Sequence, residues 1–159
     1  MFAFRKPLSA GYNIKMYRFS AMLKSYTHDV NNNIWNVFAS VDDNNKQISI
    51  ADNDLIAVFI WEDIWNGQPE WVALPFNHHY NGGEIFNQHL FSYDPSNKRL
   101  WLAIRNSTGI TPYQNMTTSS NKLYYKIFVA SAGLTGCDCK VDFSDYDSIM
   151  KCIENSSGK

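Results

Sequence analysis

Residues 55–61 read LIAVFIW, a run without a polar side chain. A run of strand length with no face to show to water belongs to a central strand covered on both sides. The segments around it alternate instead. Tyr17, Phe19, Ala21 and Leu23 take turns with Arg18, Ser20, Met22 and Lys24, and Trp35, Val37, Ala39 and Val41 share one face of residues 34–41. Leu100, Leu102 and Ile104 oppose Trp101 and Ala103 in the same way. Period two marks a half-buried strand. Residues 71–75, 85–93 and 122–131 complete the strand-like stretches. Pro75 has no N–H to give to a ladder and belongs at a strand end or edge.

Turn signals separate these stretches at Asp42-Asp43-Asn44-Asn45, Asn66-Gly67, Asn81-Gly82-Gly83 and Asp94-Pro95-Ser96-Asn97. Strands at intervals of roughly 10–15 residues predict a sandwich rather than βαβ units. The period changes in the tail. Tyr146, Ile149, Met150 and Ile153 fall at helical spacing, with Ser144 as the expected N-cap and Asp147 three residues on. The expected fold is therefore all-β, an antiparallel β-sandwich with a short C-terminal helix around residues 144–154. Residues 16–159 form its single domain and residues 1–15 an N-terminal arm.

A chain of 159 residues suits one domain and buries enough surface for a core without metal or disulfides. Aromatics make up 15%, a composition that favours strands. A net charge of −1 leaves no basic footprint for nucleic acid. No stretch reaches the roughly 18 apolar residues of a membrane span, so no membrane insertion is expected. Pro7, Gly11, Asn13 and Lys15 interrupt any apolar core of a secretory signal. Cys137, Cys139 and Cys152 are odd in number and crowded into the tail. Free thiols are the expectation, with Cys137–Cys152 or Cys139–Cys152 as the alternative.

Little in the sequence speaks for catalysis. His78, His79, Glu84 and His89 form the one grouping that suggests a metal, but adjacent strand residues point to opposite faces. Neither a metal nor a cofactor is expected. The carboxylates Asp42, Asp43, Asp52, Asp54, Glu62, Asp63, Glu70 and Glu84 sit in or beside Asn/Gly-rich turns and read as turn formers. No enzyme activity is expected. Trp65 beside Asn66, with Asp63 and Tyr80 nearby in sequence, is the candidate binding site. An aromatic ring among polar groups can stack on a sugar or anchor a protein.

In order, DLIAVFI (residues 54–60), WVALPF (71–76), LWLAIRNSTGITP (100–112), YYKIFVASA (124–132) and the closing VDFSDYDSIMKCI resemble small β proteins of unknown function from Bacteroidota. Those look like lipoproteins or the heads that follow collagen-like segments. The resemblance implies a β-sandwich and assigns no catalytic residue. It leads to the expectation of a non-enzymatic structural or interaction module on a cell surface, or on the virion of a phage infecting such bacteria. The partners expected are further copies of the chain as a homo-oligomer, other surface or virion proteins, or a glycan. Phe2 and Phe4, in an arm without strand or helix period, are expected to dock on another chain, with packing over the sandwich as an extra edge segment as the alternative.

Overall fold

The computed structural model describes residues 11–62, 69–80, 85–108, 111–113, 115–133 and 140–157. Two antiparallel sheets face each other. The first has the order β1 (Gly11–Met22), β9 (Lys122–Gly133), β4 (Leu55–Glu62) and β5 (Glu70–Ala73). The second runs β2 (Thr27–Asp29), β3 (Ile34–Ala39), β8 (Arg99–Asn106), β7 (Ile85–Asp94) and β6 (Phe76–Tyr80). The chain changes sheet between β1 and β2, β3 and β4, β5 and β6, and β8 and β9. Pro75 stands at the β5–β6 crossing, just outside the ladder, behind a cis Leu74–Pro75 bond.

The main core fills the space between the sheets. Tyr17 and Phe19 of β1, Val58 and Ile60 of β4 and Ile127 of β9 meet Leu100, Leu102 and Ile104 of β8 there. A second core lies on the outer side of the four-stranded sheet. Here Ala57, Phe59 and Phe128 are covered by Ile149 of α1 (Tyr146–Ser157), with Tyr146, Met150 and Ile153 around it. The protein is thus a sandwich with one helix laid over its smaller sheet. This explains the unbroken apolar run: β4 is an interior strand with even residues in one core and odd residues in the other. Burying rings such as Phe59 and Phe128 contributes roughly 1.5–3 kcal/mol each.

Four sequence expectations are corrected. β1 begins at Gly11, paired with Gly133, so residues 11–15 belong to the sheet and not to an arm. Val41 lies beyond β3 and is exposed, forming an isolated bridge with Gln47. Asp145 rather than Ser144 caps α1: its carbonyl accepts from the Ile149 amide at 3.2 Å and its Oδ1 from the Asp147 amide at 3.1 Å. The Ser144 hydroxyl donates instead to Asp142 Oδ1 at 2.6 Å. Finally, Cys152 is buried and disulfide-bonded, which overturns the free-thiol expectation. Cys137 and Cys139 lie outside the described residues, as do the Asn66-Gly67 and Asn81-Gly82-Gly83 turns.

The acidic turn after β3 is tied to β1. Asp42 Oδ1 accepts from the amides of Asn44 and Lys46 at 2.9 and 2.8 Å. Asp43 then donates its amide to the Arg18 carbonyl at 2.8 Å and accepts from the Ser20 amide and hydroxyl at 2.9 and 3.0 Å. No helix among the described residues is long and apolar enough to cross a membrane.

Candidate functional site

α1 covers only part of the sheet beneath it, and what it leaves open is aromatic. β4 outlasts the helix, so its outward residues change from buried Ala57 and Phe59 to Trp61, which is 41% exposed. Trp61 pairs across the ladder with Trp71 of β5. On its other side the last bonded pair is Ile60 with Tyr125, which sets Trp61 against Tyr124 of β9 one position on. Tyr124 is 50% exposed. Three rings therefore stand in one row across three neighbouring strands, at the strand spacing of roughly 4.8 Å. Trp61 and Trp71 touch with centroids 5.1 Å apart and planes at 59°.

The helix N-terminus closes this row on one side. Tyr146 lies 6.0 Å from Trp71 with the planes only 21° apart, and packs edge-on to Phe59 at 5.6 Å. Lys126 occupies the next row of β9, paired with Arg18 and Phe59. Its Nζ sits 4.5 Å from the Trp71 centroid and 4.7 Å from that of Tyr146, and donates to the Tyr146 hydroxyl. Contacts of this kind contribute roughly 0.5–2 kcal/mol each.

Two hollows flank the Trp61–Trp71 pair. One, of about 460 Å³, is bordered by Tyr124 with Arg18, Asp43 and Lys126. The other, of about 640 Å³, is bordered by Phe76 and Tyr146 with Glu70, Asp145 and Asp147. Both Trp rings border both hollows. Charges of both signs border the first, whereas carboxylates border the second, with the Lys126 ammonium close by on the Trp71 and Tyr146 rings. A smaller aromatic patch lies on the five-stranded sheet, where Phe38 meets Trp101 at 5.5 Å and the Arg99 guanidinium.

A separate polar cluster lies between the sheets. Glu62 at the end of β4, His78 in the middle of β6 and His89 within β7 contribute to it. Glu62 Oε2 is 3.0 Å from Nδ1 of His78, and His89 Nε2 is 3.0 Å from the Tyr113 hydroxyl. Tyr26 and Tyr125 share a hydrogen bond at 2.6 Å. Burial, and then the nearby His78, hold the His89 pKa down at about 3, so its ring is neutral at ordinary pH. Burial likewise raises the Tyr26 and Tyr125 hydroxyls well above the usual tyrosine range. Next to them Asn106 donates to Asn87 Oδ1 at 2.8 Å, and Asn87 to the Pro112 carbonyl at 3.0 Å. Asn106 heads the sequence Asn106-Ser107-Thr108, and its buried amide is occupied in holding this loop.

The residues expected from sequence are distributed differently. Asp63, Trp65 and Asn66 lie outside the described residues, as do Phe2, Phe4 and Glu84. Tyr80 ends β6 opposite Ile85, in the five-stranded sheet, whereas the aromatic row is on the four-stranded one. His78 and His79 are neighbours on β6, a strand, and so point to opposite sides. His89 is fully buried. Among the described residues no group of three or more His, Cys, Asp or Glu is placed to hold a metal ion. The row itself was missed. Its signal was present in three strand segments that each carry an outward Trp or Tyr, but only the pairing register brings these together.

Compared with protein-family models, with curated proteins and with solved structures, the chain finds no match in any of the three.

Proposed function

We propose that the chain is a non-enzymatic interaction module of a cell or virion surface, and that its contact face is the Tyr124–Trp61–Trp71 row, which takes a glycan. The observation that carries this reading is the row itself. A sugar ring presents an apolar C–H face and a polar rim. A row of partly exposed rings with Arg18, Asp43 and Lys126 beside it offers apolar contact below and hydrogen bonds at the side. The enclosed groups support binding over catalysis: His89 is cut off from solvent, while the exposed chemistry lies on an open sheet face. The resemblance to lipoprotein-like surface domains belongs to the same proposal.

The test is a fluorescence titration with β-1,4-linked hexasaccharides of glucose and of N-acetylglucosamine. A saturable change is expected, weakened about three- to tenfold by Trp61→Ala and by Tyr124→Ala. No saturable binding of either hexamer at millimolar concentration overturns the reading. Self-association is addressed separately, by molecular mass in solution at several concentrations.

A further inference from the structure

We propose that two copies of the chain join through the first half of β1. Residues 11–17 pair with themselves, antiparallel about a two-fold axis at Ile14, so that the two four-stranded sheets run on into one. The inference is independent of the glycan reading. Among the described residues β1 has a strand on one side alone, β9. Its open side is marked by Asp43, whose amide donates to the Arg18 carbonyl at 2.8 Å and whose Oδ1 accepts from the Ser20 amide at 2.9 Å. Backbone groups alternate in side from one strand residue to the next, and the β1–β9 register runs without a bulge from Gly11 to Met22. Tyr12, Ile14 and Met16 therefore turn their N–H and C=O groups to the same open side as Arg18 and Ser20. Among the described residues nothing bonds to them there.

What fits this stretch is the stretch itself. An axis at Ile14 sets Tyr12 against the partner's Met16 and Ile14 against the partner's Ile14, so that each open N–H meets a C=O. The pairing ends with Tyr17 against the partner's Gly11, just short of the carbonyl that Asp43 holds. On the α1 side the facing residues are apolar in both copies. Ile14 and Met16 already pack into the second core, and Tyr12 meets Phe143 edge-on at 5.5 Å. A hollow of about 210 Å³ beside Tyr12, Ile14 and Ile153 leaves room for a side chain of the second copy.

On the other side exposed Asn13 faces the partner's Lys15, and no lysine opposes another. Neighbouring registers fit less well. An axis at Lys15 sets lysine against lysine and Tyr12 against the partner's Arg18, whose carbonyl is taken. An axis at Asn13 shortens the paired part of the strand to residues 11–15. Two-fold pairs are also the commonest assembly of like chains, because one self-complementary patch suffices.

The experiment is sedimentation equilibrium over roughly 1 µM to 1 mM, the range in which a contact of this modest size associates. The parent is expected to pass from monomer to dimer. Asn13→Lys sets like charges opposite each other at both ends of the joint and should raise the dissociation constant about tenfold. Adding Lys15→Glu makes each facing pair opposite in charge and should restore the parent's association. Both positions are exposed, so urea midpoints should stay at the parent's value. A parent that remains monomeric across the range overturns the proposal. So does a dimer indifferent to Asn13→Lys, which is held together elsewhere. Weakening by Asn13→Lys without rescue in the double variant overturns the pairing of Asn13 with Lys15, and the axis at Ile14 with it.

Discussion

His89 turns one ring nitrogen to the Tyr113 hydroxyl at 3.0 Å and buries the other, Nδ1, without a hydrogen-bond partner among the described residues. A second proton on this ring would be a charge cut off from water and set near His78. The folded chain therefore keeps His89 neutral down to a pH of about 3, while an unfolded chain protonates it near 6.5. Between those values the unfolded state binds more protons, so stability is fully present above about pH 6.5 and falls as pH drops towards 3. The slope is on the order of 1 kcal/mol per pH unit once protonation of the unfolded state is complete. Urea midpoints measured from pH 7 to 4 should decline in the parent and decline much less in His89→Phe. Equal slopes would refute the assignment.

The opposite limb belongs to Tyr26 and Tyr125. Both hydroxyls resist ionisation when folded, so stability is present below about pH 10 and is lost as the unfolded chain ionises above it. Of nine tyrosines, these two should stay silent in a tyrosinate absorbance titration until the chain unfolds. Smooth ionisation of all nine with native structure intact would contradict this.

Reduction should matter. The bridge from Cys152 to one of the other two cysteines closes a loop of roughly 15 residues, which contributes about 3 kcal/mol by restricting the unfolded chain. Dithiothreitol and Cys152→Ala should each lower the urea midpoint by a corresponding amount, with no further loss when combined. A midpoint unmoved by either treatment would show that the bridge holds nothing.

Phe59 and Trp61 are two residues apart on the same outward side of β4 and should behave oppositely. Phe59 is fully buried under α1, and Phe59→Ala should cost about 3–5 kcal/mol. Trp61 is only part-covered, and Trp61→Ala should cost about 1 kcal/mol while weakening glycan binding. Equal losses of stability in denaturant titrations would mean that the row is part of the core.

The same pair shows how far sequence reasoning reaches. The run LIAVFIW foretells a strand covered on both sides, and β4 is one, but the run cannot say where the cover stops. That depends on α1, whose first turn ends over Phe59 and Trp71. β1 hid its start for a related reason. Its apolar residues fall at Ile14 and Met16, then at Tyr17, Phe19 and Ala21, a phase slip that reads as an irregular arm. The strand has no break; its first half buries one face under α1 and its second half the other face in the sandwich. β2 and β6 were missed because THD and FNHHY lack apolar alternation and owe their form to neighbouring strands. The bridge at Cys152 was missed because an odd count says only that one thiol is left over, not that the others stay apart. The cap moved from Ser144 to Asp145 because both can cap and Asp142 had already engaged Ser144.

β1 is an edge strand of twelve residues, and a long edge is a template on which other chains add strands and grow into fibres. The turn after β3 interrupts that template. By taking the Arg18 carbonyl and the Ser20 amide for itself, Asp43 plugs the outward ladder of β1 partway along its length. An incoming strand would have to displace a carboxylate as well as pair with backbone. One acidic residue, placed for local turn geometry, thereby also shortens the stretch of edge that a further strand could extend.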